Sequence, residues 1–185
     1  MIEPVNAKKR AMRLFLTGAP GVGKTTLIRA VVEGLEAIKC AGFYTLEERR
    51  GGQRVGFRIM TLSGREGSLA SLGNKPPTVG RYSVHLDQFE ALVLPELDSR
   101  ATPADLYVID EIGKMELFSR KFAARLVELL AQPTTILATI AQKGMGLIEQ
   151  IKNRDDVELI EVSRKNRDRL VDQIRSRITT ERERM

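Results

Sequence analysis

Short apolar runs alternate with segments of helical periodicity along most of this chain. Residues 13–17 form an apolar run that ends at Gly18, which is typical of a buried strand. Residues 25–38 then carry apolar side chains at intervals of three and four, the spacing of an amphipathic helix. The chain is therefore predicted to begin with a strand, a glycine-rich loop and a helix.

The same alternation returns in the second half of the chain. Apolar runs that favour strands are separated by segments that favour helices, and Ser119 stands where a helix N-cap is expected. The predicted elements are a strand at 106–110, a helix at 119–130, a strand at 134–140, a helix at 147–152, a strand at 157–162, a helix at 166–178 and a tail that frays after Thr180. This order predicts an α/β fold with a mostly parallel sheet flanked by helices.

The middle of the chain has a different pattern. Extended segments at 42–46 and 55–60 flank a pair of glycines and predict a β-hairpin, and residues 67–71 add a further candidate strand. An antiparallel hairpin extension of the sheet is therefore expected over about residues 42–71. A helix is expected at 87–97, where apolar side chains recur at helical spacing.

Length and charge narrow the class of protein. The chain has 185 residues without a repeat or a long linker, so residues 1–185 are predicted to form a single domain. Lysine and arginine outnumber aspartate and glutamate by 30 to 24, and the net charge of +6 favours anionic partners. Nucleotide phosphates satisfy this preference as well as a nucleic acid does, and because the basic residues are spread along the chain, a solvated basic surface is favoured over a dedicated RNA-binding face.

The sequence predicts a cytoplasmic protein that does not span a membrane. No apolar run approaches the length of a bilayer span, and residues 1–10 lack the apolar middle of a signal peptide. Cys40 is the single cysteine, so an intrachain disulfide is excluded and a reducing setting is expected. Its apolar surroundings disfavour a catalytic thiol, and the single histidine, His85, excludes a His-rich metal site within one chain.

The loop after the first strand fits the pattern G-x-x-x-x-G-K-[ST] of a P-loop, with the strand before it and the helix after it that this motif requires. Its backbone N–H groups and the positive end of the helix are expected to hold a triphosphate. Lys24 is expected to reach the β- and γ-phosphates, and the Thr25 hydroxyl to ligate Mg²⁺. The predicted nucleotide-binding residues of the loop are Gly18, Ala19, Pro20, Gly21, Val22, Gly23, Lys24, Thr25 and Thr26.

Two carboxylates follow the strand at 106–110. Asp110 is predicted to hold the Mg²⁺ with Thr25, because both lie at the carboxyl edge of the sheet. Glu111 is the candidate catalytic base, since a carboxylate there can orient a water and draw a proton from it. The alternative for both is ordinary surface acid after a strand.

Three further positions are candidates near the γ-phosphate or the base. Thr139 either senses the γ-phosphate or fills a strand position. Lys114 either stabilises charge on the transferred phosphoryl group or is a solvated lysine or a partner of Glu116. Asn166 either reads a base edge or caps the last helix.

Arginines beside Asn166 complete the set of candidates. Arg164 and Arg167 contact base or phosphate, or are surface charge, and Arg167 is counted with Asn166 among the nucleotide-binding residues. The spacing of the sequence does not single out any arginine as the one that assists hydrolysis.

With these motifs the chain resembles the nucleoside-triphosphatase family of small P-loop phosphohydrolases, which is known from hyperthermophilic prokaryotes and has a human cancer-related member. The most specific part of the match is the run VIDEIGKMEL. The matching segments are residues 18–27 (GAPGVGKTTL), 42–47 (GFYTLE), 56–59 (GFRI), 108–117 (VIDEIGKMEL) and 163–168 (SRKNRD).

The resemblance implies a RecA-like P-loop NTPase fold with an extra strand between the two motif strands. It also implies Mg²⁺-dependent hydrolysis of nucleoside triphosphates, ATP and GTP among them, to diphosphate and phosphate with loose base selectivity, and it assigns the base role to Glu111. Two alternatives remain open. One is a nucleotide or small-molecule kinase on the same scaffold, and the other is a nucleotide switch or nucleic-acid-associated binding module.

Overall fold

A computed structural model describes residues 11–183 of the chain. These residues form nine strands, five α-helices and one short 3-10 turn at Glu116–Phe118. In chain order the elements are β1 (Arg13–Thr17), α1 (Lys24–Glu33), β2 (Cys40–Arg50), β3 (Gln53–Thr61), β4 (Glu66–Leu72), β5 (Thr78–Val79), β6 (Tyr82–Val84), α2 (Leu86–Glu96), β7 (Leu106–Ile112), α3 (Arg120–Ala131), β8 (Ile136–Ile140), α4 (Leu147–Lys152), β9 (Glu158–Glu161) and α5 (Arg167–Glu183).

All nine strands of the described residues join one sheet, in the order β5-β6-β4-β3-β2-β7-β8-β1-β9. The pairs from β2 to β9 are parallel, and the pairs from β2 to β5 are antiparallel. Strand β8 lies between β1 and β7, as the RecA-like fold class predicts, and that fold class is confirmed. The antiparallel part, residues 44–84, extends beyond the predicted hairpin, because β5 and β6 add to its edge; it is called the wing below.

Strand β2 belongs to both parts of the sheet. Its first residues pair in parallel with β7, from Cys40 opposite Leu106 to Phe43 opposite Ile109, and its later residues pair with β3. Gly42 lies within the parallel stretch at a φ of +127°, and a Cβ there would lie 1.9 Å from the carbonyl oxygen of Val108. The close contact between β2 and β7 therefore requires glycine.

Alternate residues of the central strands enter two separate cores, one on each face of the sheet. Phe15 and Phe43 pack in the core that α2, α3 and α4 cover, whereas Leu14, Leu16 and Tyr44 pack in the core that α1 and α5 cover. In the first core the rings of Phe43, Phe89 and Phe122 meet edge to face. Apolar burial on both faces thus fixes β1 and the loops at its end.

Two helix boundaries differ from the predictions. Helix α1 ends at Glu33 rather than at residue 38, because glycine at 34 disfavours further helix, but Leu35 and Ile38 still enter the core and so continue the apolar pattern. Helix α5 continues past Thr180 to Glu183, where fraying was expected. The prediction about residues 1–10 lies outside the described residues. Across residues 11–183 no helix is both long and apolar enough to cross a membrane.

The predicted cap at Ser119 is confirmed. Its hydroxyl accepts a hydrogen bond of 3.0 Å from the backbone N–H of Phe122, in the first turn of α3. The same hydroxyl donates to Glu90 of α2 at 2.7 Å. This serine therefore fixes both the start of α3 and its contact with α2.

Candidate functional site

The P-loop connects β1 to α1 as its motif predicts. Gly23 is the residue before the helix and has a φ of +97°, and the helix has no side-chain cap. Its first backbone N–H groups therefore have no side-chain acceptor, which is the arrangement that binds an anion. The Lys24 ammonium folds back along the loop and donates to the carbonyl oxygens of Gly18 at 2.9 Å and Ala19 at 3.3 Å.

Other residues of the P-loop divide between solvent and core. Ala19, Pro20 and Gly21 are exposed, whereas the side chain of Val22 packs in the core below α1. The side chain of Val22 therefore anchors the loop, and its backbone is what the loop offers to a ligand.

Arg167 at the start of α5 lies directly against the P-loop. A Cβ on Gly23 would lie 2.7 Å from Nη1 of Arg167, and the Nε of that arginine donates to Asp168 at 2.9 Å. This contact brings Arg167 to the P-loop, and its role in binding the nucleotide stays a prediction. The contact places a guanidinium on the β9 side of the loop, away from β7.

Asp110 lies near the end of β7 and is buried. Thr139 of β8 donates to its Oδ1 at 2.6 Å, while its Oδ2 makes no hydrogen bond with any described residue. Burial raises the pKa of Asp110 to about 6; the neighbouring Thr139 and Thr25 hydroxyls act in the opposite direction, and the charge of Glu111 adds to the rise. Thr139 therefore orients the carboxylate, a role that neither sequence interpretation of Thr139 included.

The side chains at this position fit Mg²⁺. A buried carboxylate oxygen without a partner needs a cation or a proton, and the Thr25 hydroxyl lies beside the same carboxylate. Among residues 11–183 no cluster of three or more His, Cys, Asp or Glu side chains forms a cage for a metal. Proteins usually hold Mg²⁺ through one or two ligands together with phosphate oxygens and water.

Glu111 and Glu116 are two further carboxylates beside Asp110. Glu111 is half-buried and joined to Asp110 by a cis peptide bond, and Glu116 is buried. Burial, with the nearby charges of Glu111 and Asp110, raises the pKa of Glu116 to about 8 against the pull of backbone hydrogen bonds. The suggested pairing of Lys114 with Glu116 is not present: Lys114 is exposed and makes no ion pair with the described residues.

These groups share one cleft with a volume of about 630 Å³. Its lining includes Lys24 and Thr25 from the P-loop and Asp110, Glu111 and Lys114 from the end of β7. A cleft of this size accommodates a small ligand, and the convergence of cationic, hydroxyl and carboxylate groups suits a nucleotide triphosphate.

Asn166 does not cap α5 with its side chain, and its role in reading a base edge stays a prediction. Its Oδ1 accepts from the backbone N–H of Ser163 at 2.8 Å, and its Nδ2 donates to the carbonyl oxygen of Glu161 at 2.9 Å. The side chain thus closes the turn between β9 and α5 instead of capping the helix. Arg164, in the same turn, is exposed.

Comparison with known proteins identifies the family. A family model described as NTPase matches residues 13–175, which is most of the chain. The chain belongs to this NTPase family. The human cancer-related nucleoside-triphosphatase is 46% identical to it, over 89% of this chain and 95% of the human protein, and nucleoside-triphosphatase THEP1 of Thermotoga sp. (strain RQ2) is 43% identical, over 89% and 94%.

Solved structures agree with that assignment. The crystal structure of THEP1 from the hyperthermophile Aquifex aeolicus matches with a TM-score of 0.82 and 36% identity, over 90% of this chain and 99% of that one. The solution structure of a human cancer-related nucleoside triphosphatase matches with a TM-score of 0.79 and 44% identity, over 92% and 98%. The NTPase-family fold therefore extends over nearly the whole chain, including the wing.

Sequence reasoning missed the contribution of the wing to the cleft of this NTPase-family chain. Glu47 of β2 and Arg54 and Phe57 of β3 line it together with the P-loop. Arg54 is one of 30 basic residues, and no spacing distinguishes it from its neighbours. The Gly-Gly turn between β2 and β3 indicates that Arg54 belongs to the hairpin. Only the position of the wing in the sheet brings its side chain to the cleft.

Proposed function

We propose that the protein hydrolyses nucleoside 5′-triphosphates, ATP and GTP among them, to the diphosphate and phosphate in a Mg²⁺-dependent reaction. One observation carries the proposal: Lys24, Thr25, Asp110 and Glu111 meet in a single cleft of an NTPase-family chain. The names of its relatives, which are nucleoside-triphosphatases, support the same reaction class.

The P-loop binds and orients the triphosphate in this proposal. Its backbone N–H groups and the Lys24 ammonium surround the β- and γ-phosphates, and Lys24 leaves the carbonyl oxygens of Gly18 and Ala19 to do so. Thr25 and Asp110 would hold Mg²⁺, which when bound neutralises charge on the phosphate oxygens. Thr139 keeps Asp110 aimed at that position through its hydrogen bond.

Glu111 is the proposed base. It orients a water toward the γ-phosphorus and accepts one of its protons as the oxygen–phosphorus bond forms. The bond from the γ-phosphorus to the β,γ-bridging oxygen breaks, and the electron pair stays on the diphosphate. The half-buried position of Glu111, next to the buried Asp110, supports this role.

Loose base selectivity and a cytoplasmic setting belong to the same proposal. The Asn166 amide is held by two backbone groups of the turn between β9 and α5, which supports a structural role for it over base recognition. The single cysteine precludes an intrachain disulfide, which supports a reducing compartment.

Two matched variants test the proposed roles of the carboxylates. Glu111→Gln keeps size and reach but removes the charge that accepts the proton, so single-turnover phosphate release should fall about 10²- to 10⁴-fold while nucleotide affinity stays close to that of the wild type. Asp110→Asn should weaken Mg²⁺-dependent binding as well as turnover. Near wild-type chemistry in Glu111→Gln would remove Glu111 as the base.

The wild-type assay separates the proposal from its two alternatives. Phosphate release from ATP, GTP, CTP and UTP, each with and without Mg²⁺ and without any acceptor, supports hydrolysis. A kinase would release little phosphate until an acceptor is added. A nucleic-acid-associated module would show salt-sensitive binding of RNA or DNA and turnover that depends on it.

A further inference from the structure

The wing presents one arginine to the cleft in a restrained position. The Nη1 of Arg54 donates to Glu47 at 2.7 Å, and its Nε donates to the hydroxyl of Tyr82 at 3.2 Å. Its guanidinium also lies over the rings of Phe57 and Tyr82, with centroid distances of 5.2 and 5.8 Å. Contacts with three side chains therefore orient the guanidinium before any ligand arrives.

One edge of this guanidinium remains available. Its Nη2 makes no hydrogen bond with residues 11–183, and the side chain lines the cleft that also contains Lys24, Asp110 and Glu111. A guanidinium has five N–H donors, so the two bonds to Glu47 and Tyr82 leave three unused. These donors match the equatorial oxygens of a phosphoryl group.

The sheet order places Arg54 at the γ-phosphate end of the cleft. Strand β3 lies next to β2, and β2 lies next to β7, which carries Asp110 and Glu111. Arg167 instead lies by β9, on the other side of β1. A triphosphate whose γ-phosphate faces Glu111 would therefore point toward the wing, with the two arginines on opposite sides of β1.

We propose that Arg54 is a catalytic residue that stabilises, in cis, the charge on the γ-phosphoryl group in the transition state. Glu47 and Tyr82 are positioning residues for it. This role rests on the proposed hydrolysis and adds no proton transfer: Glu111 takes the proton of the water, and Arg54 donates hydrogen bonds to the equatorial oxygens as the bond to the diphosphate breaks. A preoriented guanidinium suits this role better than the exposed, unrestrained Lys114.

Arg49 provides the matched control. It donates to the other oxygen of Glu47 at 2.6 Å and belongs to the same ionic cluster, yet it does not line the cleft. Arg54→Ala and Arg49→Ala each remove one partner of Glu47. Only the first removes a guanidinium from the cleft, so a difference between them isolates the effect on the reaction from the effect on the wing.

The test compares single-turnover phosphate release from MgATP in the wild type, Arg54→Ala, Arg54→Lys and Arg49→Ala. We expect Arg54→Ala to lose about 10³-fold or more in rate, as removal of an arginine finger does. Arg54→Lys should recover part of that loss, because it keeps the charge without the planar fork. Arg49→Ala should stay within about threefold of the wild type, as expected for an exposed ion pair.

A binding measurement provides the second readout. Arg54→Ala should weaken binding of MgADP with aluminium fluoride, a transition-state mimic, far more than binding of a non-hydrolysable triphosphate. Equal rates in Arg54→Ala and wild type, or equal losses in Arg54→Ala and Arg49→Ala, would overturn the role of Arg54 while leaving hydrolysis intact. A wild-type protein that releases no phosphate would overturn both proposals.

Discussion

The parallel part of the sheet and the wing line the same cleft, but their carboxylates differ in whether a neighbouring side chain pairs with them. On the parallel side, Asp110 is buried with one oxygen that has no partner among the described residues, and its pKa is raised. On the wing, burial of Glu47 is outweighed by hydrogen bonds from Arg49 and Arg54, so its pKa is lowered. The buried carboxylate on the parallel side makes no ion pair with the described residues, whereas the wing pairs its own charges.

This difference indicates separate roles for the two parts of the sheet. A carboxylate without a counter-charge is suited to bind a metal, and a guanidinium held by a carboxylate is suited to stay in place until charge develops beside it. The parallel side is then expected to control nucleotide binding, and the wing is expected to control the rate of the chemical step.

The largest expected effect is a loss of stability on substitution of Gly42, in the strand that joins the parallel part of the sheet to the wing. Gly42→Ala forces a Cβ against the carbonyl oxygen of Val108 at a φ of +127°, so the free energy of unfolding should fall by about 3 kcal/mol or more. Urea unfolding measures this. The control is Gly51→Ala at the hairpin turn, where φ is +54° but a Cβ would meet nothing within 4 Å. Equal losses in both variants would mean that the join tolerates a side chain.

The parallel part of the site was predictable from sequence because its parts are local. Gly18 to Thr25 lie together in the chain, and an apolar strand that ends in Asp110 has one available position at the sheet edge. The prediction of helical structure up to residue 38 was wrong, because Leu35 and Ile38 are buried but lie beyond the end of α1. Apolar periodicity reports burial, and helix is only one of its causes.

The wing contribution was not predictable for a physical reason. Arg54 reaches the cleft only through the register of β3 on β2 and of β2 on β7, which joins residues far apart in sequence. Glu116, in the 3-10 turn after β7, is likewise buried although it is charged, and no pattern in the sequence marks it as buried. A charged residue in a motif is read as solvated unless the tertiary structure removes water from it.

Next in size is the loss of binding on the parallel side. Lys24→Ala removes the principal side-chain charge that meets the β- and γ-phosphates, so affinity for a non-hydrolysable triphosphate should fall about 100-fold. Calorimetric titration gives the affinity. Lys143→Ala, an exposed lysine in the loop after β8, should change it little. A folded Lys24→Ala protein that binds as the wild type does would contradict the P-loop assignment.

The smallest expected effect on turnover concerns Cys40, in the parallel stretch of β2. Burial, with a smaller contribution from the charge of Asp105, raises the pKa of this thiol to about 11, so it stays protonated at pH 8 and ionises only as the pH rises toward that value. Alkylation of the native protein at pH 8 should be roughly 100-fold slower than in denaturant. Mass spectrometry over time measures it, and Cys40→Ser should leave turnover within about twofold. Rapid alkylation would mean that the start of β2 opens readily.

Strand β2 also connects the hairpin turn to the strand that carries Asp110. It runs as one strand from Arg50 at the turn, through a bulge at Glu48 and Arg49, to Phe43, which pairs with Ile109, the neighbour of Asp110. A force or a binding partner acting on the turn would be transmitted along this one strand, since no loop intervenes to absorb the displacement. A fluorophore attached to the turn would therefore report displacement of β2 beside Asp110 without entering the cleft.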